Sequence, residues 1–428
     1  MATVRFVLVF LVLFLVVAVP APARAQAAPG PFVKQAFDLL MDRFVLPPKS
    51  GDLLKAGWDG GIAHIKGASG AEPGAPAPSF TGDRGADWNA FLAAYPALVA
   101  TLGASPDQHA LDRAIVAAMA KSLNSSHTYL TVNPPPGLVY GGVGVQMSRE
   151  LIVTDVFPGS PAEAAGVRPG DRLIAVDGVS VEGMTSQETS SLVRGPVGSA
   201  VQLTVRRAGQ AEPTVINATR AEIVVPWVTS RVLDGGIGYL KLGGYPQLDA
   251  IGPFDEAVTL LDGADVKALV VDVRGNGGGP VDAANKIISR FVREGALYQR
   301  TNRQGQTTPV NVDGSAWGRN IPIAVLVNAG SGGNGGELLP SALREHGLGY
   351  VVGSHTAGSL AAGVRVPLQD GSTLTITVET WRTGKGQEIE GVGLEPDLTV
   401  ELDPGALAEG RDTQLEAALT YLKEKIGS

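Results

Sequence analysis

From Trp227 to the C-terminus one pattern recurs: a short unbroken apolar run, a turn, then a stretch with helical spacing. The runs Ala268 to Val273 and Pro322 to Val327 show no alternation of polar and apolar residues. Strands of that kind must be buried on both faces, so a mixed sheet covered by helices is predicted, an α/β core over 226–428. The expected order is strand 237–242, helix 251–262, strand 268–273, helix 281–293, strand 322–327, a helix restarting at Glu337 and strand 349–352. A hairpin over 367–378 turns at Asp370-Gly371. A strand at 397–402 and a helix at 412–425 close the chain.

Two other periods precede this core. Residues 31–132 form an N-terminal helical segment, with apolar residues three and four apart over 32–44, 52–65, 88–102 and 107–123. Pro47-Pro48 stop the first helix, and 67–83, rich in Gly, Ala, Pro and Ser, is a surface excursion. Residues 137–222 then alternate short β-rich runs with turn signals. Strands fall at 142–147, 151–157, 172–176 and 201–206, with helices at 161–165 and 186–194. This is a separate β-rich domain set inside the chain.

The N-terminus reads as a leader: Arg5, an apolar run from Phe6 to Val19, then Ala23-Arg-Ala25 in the small-x-small pattern of a signal-peptidase site. The run falls short of the roughly 20 residues a membrane span needs. Cleavage after Ala25, removing 1–25 and leaving no integral span, is therefore expected over an uncleaved anchor, with export to the periplasm or the outside. There is no cysteine, so disulfides and thiolate metal sites are excluded, and neither metal nor cofactor is expected. The net charge of −8 is spread without a basic block, which argues against nucleic acid as a partner.

Within 137–222, Tyr140-Gly-Gly-Val-Gly-Val145 is a glycine turn entering a strand. The backbone amides of Gly141, Gly142, Val143, Gly144 and Val145 can converge on a peptide carboxylate, with the helix 186–194 walling a groove for an added strand. The string Gly159-Ser-Pro-Ala-Glu-Ala-Ala-Gly-Val-Arg-Pro-Gly-Asp-Arg-Leu-Ile-Ala-Val-Asp-Gly178 closely resembles the centre of a circularly permuted bacterial PDZ domain. That resemblance implies capture of peptide or protein C-terminal tails.

The order of helical segment, PDZ domain and αβ core resembles the C-terminal processing (tail-specific) serine peptidases. Five strings carry the likeness: Asn124-Ser-Ser-His-Thr-Tyr-Leu130, Val270-Val-Asp-Val-Arg-Gly-Asn-Gly-Gly-Gly279, Val352-Gly-Ser-His-Thr-Ala-Gly358, Ile389-Glu-Gly-Val-Gly-Leu-Glu-Pro-Asp397 and Gly410-Arg-Asp-Thr-Gln-Leu-Glu416. The family's nucleophilic serine precedes the helix glutamate by three residues, which falls on Asn334. Its lysine base falls on Ser359 and the glutamine orienting that lysine on Gly363. Counted forward from Asn328 instead, the nucleophile position is Gly333, so the turn holds one extra residue. No lysine occurs between Lys286 and Lys385. The family's oxyanion donors correspond to Gly278 and Gly335. Tricorn-type and retinoid-binding-type members imply a second arrangement, with His127 as base, Ser126 as its helper and Ser331 as a displaced nucleophile.

Two readings stand. One is an exported serine peptidase that holds tails in its PDZ domain and cuts them with Ser331 and His127. The other is a non-catalytic tail-binding scaffold or adaptor, since asparagine forms no acyl intermediate and Ser359 cannot replace an amine base. A small-molecule binder fits less well, because the retinoid-binding relatives lack the PDZ domain.

Overall fold

The structure, a computed structural model, describes residues 28–70, 74, 76–101, 107–132, 140–223, 227–244 and 251–427. The leader expected at 1–25 lies outside them. Among the described residues no helix is long and apolar enough to cross a membrane.

Four helices open the described chain: Pro31–Arg43, Ser50–Ser69, Arg84–Ala100 and Gln108–Ser122. The second and fourth approach closely because Gly60 has no side chain; a Cβ there would sit 2.2 Å from that of Ala118. Their apolar faces share one core with Leu368, Leu374 and Ile376, so the helices are packed onto a sheet of the C-terminal half. That sheet contains Tyr129–Thr131, Thr373–Thr383, Ala296–Asn302, Thr307–Asn311 and Ala361–Pro367. The hairpin at Asp370-Gly371 is present, with Pro367 opposite Thr373.

The apolar runs form the second sheet, in the order Val228–Leu233, Ile237–Leu242, Ala268–Asp272, Ile323–Val327, Gly349–Gly353 and Leu398–Thr399. Its first pair is antiparallel and the others parallel. Both faces are covered. Leu269, Val271, Val325 and Val327 pack with residues of the helices Ile251–Gly263, Val281–Phe291 and Leu339–Glu345. Val270, Ala324 and Leu326 pack beneath Thr413–Gly427. The closing strand is only Leu398–Thr399, shorter than the 397–402 expected.

The β-rich domain has its own core around Val143, Val153, Leu173, Val176 and Leu203. Among the described residues, several of its groups meet the αβ core. Gln146 Nε2 donates to Arg274 O at 3.4 Å, Lys241 pairs with Asp155, and Gly170 lies against Pro404 and Ala408.

Candidate active cleft and peptide groove

The turn after Ile323–Val327 is a dense hydrogen-bonded knot. Asn328 O accepts from Ser331 N at 2.8 Å. Ser331 Oγ donates to Val273 O at 2.8 Å and accepts from Asn328 N at 3.0 Å. Ser331 is fully buried and is absent from the cleft that His127 lines. Ser331, expected as a displaced nucleophile, thus has its hydroxyl tying together two strand ends. Buried hydroxyls must be hydrogen-bonded, and this one is committed to backbone.

The chain enters the next helix through a π turn. Asn334–Leu338 forms one turn of π-helix, closed by Leu339 N on Asn334 O, before the α-helix Leu339–Glu345 begins. Such i→i+5 turns are rare and are how helices accommodate an insertion. Gly333 precedes it at φ 62°, ψ −157°, a backbone state suited to glycine. Glu337, fully buried, ties this turn to the following segment. Its Oε1 accepts from Thr356 Oγ1 and Gly358 N, both at 2.6 Å. Its Oε2 accepts from Gly333 N at 3.0 Å and Ser359 N at 2.8 Å. Burial raises its pKa, and the four donors oppose that.

Asn334 reaches the cleft and faces the loop 277–279. Its Oδ1 accepts from Gly279 N at 3.0 Å, and its Nδ2 donates to Gly279 O at 2.9 Å. Gly278 N, expected to be an oxyanion donor, points elsewhere. It donates at 2.8 Å to Asn276 Oδ1, whose amide is anchored on Leu242 O. Gly335 is buried against Asn276, where a Cβ would stand 2.3 Å from Oδ1, and it is not on the cleft wall. Of the two expected donors, Gly278 N is thus engaged within the loop and Gly335 lies off the cleft wall, while the Asn334 amide fills the place beside Gly279.

The cleft, about 490 Å³, brings together Asn334, Gly278, His127 and Gly363, but not Ser331. Ser359 is half-buried, held by its amide on Glu337. Gly363 makes room for the histidine; a Cβ on it would lie 3.2 Å from His127 Cβ. Ser126, expected as the helper of His127, lies beside it. Ser126 Oγ lies 2.9 Å from His127 Nδ1 and donates to Glu390 Oε1 at 2.8 Å. The hydroxyl has one proton, so Nδ1 is assigned as its donor and Nε2 as the free lone pair. Burial lowers the His127 pKa, with Glu390 pulling the other way. Glu390 was not singled out in the sequence. The only sign of it is a carboxylate between Ile389 and Gly391 in a glycine-rich string.

The second concavity, about 310 Å³, is the PDZ groove. Gly141 to Val145 form one side, with Ser190 and Val193 of the helix Ser186–Val193 opposite. Gly141 pairs with Gly195, and Gly142 N donates to Ala221 O at 2.9 Å. Among the described residues the amides of Val143 and Gly144 have no acceptor. Arg220 caps the end of the groove helix through Val193 O at 2.8 Å and Leu192 O at 3.1 Å.

This layout defines a PDZ-bearing serine-peptidase fold. Residues 236–400 match peptidase family S41 and 152–207 match a PDZ domain. The chain belongs to this family, with C-terminal processing peptidases among its relatives. It is 30% identical over 286 residues to the chloroplastic C-terminal processing peptidase of Tetradesmus obliquus, covering 62% of this chain and 61% of that protein. It is 30% identical over 307 residues to the "Probable CtpA-like serine protease" of Staphylococcus aureus (strain COL), covering 69% and 61%. The chain thus spans about three fifths of the length of these two relatives. The fold is that of the photosystem II D1 C-terminal processing protease, at TM-score 0.57 and 24% identity over 91% of this chain and 96% of that one.

Proposed function

We propose that this protein is an exported member of the family that captures C-terminal peptide tails in its PDZ groove and does not cut them. The reading rests on Asn334, whose side-chain amide closes on Gly279 at the family's nucleophile position. With Ser331 buried and committed, neither family arrangement has its nucleophilic hydroxyl in the cleft. Tail capture is supported by the groove, whose Val143 and Gly144 amides are available for a carboxylate. Export is supported by the Arg5 to Ala25 pattern alone.

Two measurements test this. Peptides with an apolar last residue and a free carboxylate should bind, and their amidated forms should bind much more weakly; equal affinity removes carboxylate capture. Purified protein should leave tail-tagged substrates intact and form no adduct with a serine-directed phosphonate. An adduct on any core serine overturns the non-catalytic reading.

A further inference from the structure

The cleft wall opposite the 277–279 loop is made by the sheet that packs on the N-terminal helices. Its register places Tyr129 opposite Thr375 and Thr375 opposite Arg365, so the three residues form one cross-strand row. All three line the cleft, beside His127 and Gly363. Arg365 is exposed and, among the described residues, has no hydrogen-bond or ion-pair partner. Among the described residues no aspartate or glutamate lines the cleft, although the chain as a whole is acidic, at −8. The glycine loop therefore faces an arginine that no described carboxylate offsets.

The groove strand meets the core at the start of the loop that continues into the cleft wall. The strand Val145–Met147 abuts the core through Gln146, whose amide donates to Arg274 O. Arg274 stands three residues before Gly277 of the cleft wall. A tail added as an antiparallel strand, its carboxylate at Val143 and Gly144, has its upstream end at the core. Resting on the tail-capture reading above, we infer that the cleft is a second subsite selecting an acidic side chain upstream in the bound tail. Arg365 supplies the planar fork that suits a carboxylate, and Tyr129 offers a hydroxyl in the same row.

The test is fluorescence anisotropy on the full-length protein with labelled peptides sharing one apolar C-terminal sequence. Each upstream position in turn carries Glu, Gln or Lys. At one position Glu should bind about tenfold tighter than Gln, with Lys weakest, and added salt should shrink the difference. Arg365→Gln should erase the preference, and Arg365→Glu should invert it in favour of Lys, a result that misfolding cannot produce. Equal affinity for the three peptides at every position overturns the inference, as does an unchanged Glu preference in Arg365→Glu. If free-acid and amidated peptides bind alike, tail capture itself falls and this inference with it. If the free acid is preferred but glutamate is not, only the cleft subsite falls.

Discussion

Asn334 gives Gly279 both an acceptor for its N–H and a donor for its C=O, which is what an extended peptide strand would offer. Glu337 has the opposite chemistry, two oxygens meeting four donors. Glu337→Gln would set an NH₂ against two of those donors, at about 1–3 kcal/mol each. Urea unfolding should therefore show a loss of about 2–6 kcal/mol; an unchanged midpoint would mean the pocket tolerates the amide. His127 sets a pH dependence. Its folded pKa lies below the ordinary 6.5 because burial disfavours the charged ring. The unfolded chain then binds the proton more readily, so His127's share of stability is present above pH 6.5 and is lost as pH falls through the folded pKa. His127→Gln should flatten that part of the stability–pH curve measured by thermal melts. A curve that keeps its slope would assign the loss to another group.

At the scale of elements, the π turn decides how a catalytic site could be rebuilt. Asn334→Ser with Ser359→Lys and Gly363→Gln restores the family's three residue types, but on a turn one residue too long. A displacement of about 1 Å can cost 10²-fold. The triple variant should gain more phosphonate labelling when Gly333 is also deleted; well-folded variants inert in both forms would sink the alignment of this turn. The sheet behind the turn was legible in the sequence because its strands are unbroken apolar runs. The strands Ala296–Asn302 and Thr307–Asn311 were not, since Gln299, Arg300, Thr301 and Thr308 carry no apolar signature. The site divides in the same way. Local strings located Asn334, the glycine loop and the Ser126–His127 pair. The partnership of Ser126 with Glu390 spans 264 residues and exists only in the folded chain. The burial of Ser331 depends on Val273, 58 residues away.

At the scale of the whole molecule, the PDZ domain is docked through few contacts. Gly170 has φ 89°, and a side chain there would meet Pro404 O at 2.8 Å and Ala408 at 2.9 Å. Gly170→Leu should therefore push the domain off the core while leaving its separate hydrophobic cluster intact. Small-angle scattering should report a larger radius of gyration, with free-acid peptides still binding. A preference for upstream glutamate should be lost in the same variant, because the two subsites would no longer share one rigid frame. Unchanged scattering would mean that the helix Pro404–Ala408 yields instead.

The asparagine amide at 334 also bears on how this turn can change. Replacing it with serine alone strips Gly279 of a donor and an acceptor and leaves both backbone groups to solvent. A path from asparagine to serine at this position therefore opens on a loss, and a second change must follow before anything is gained.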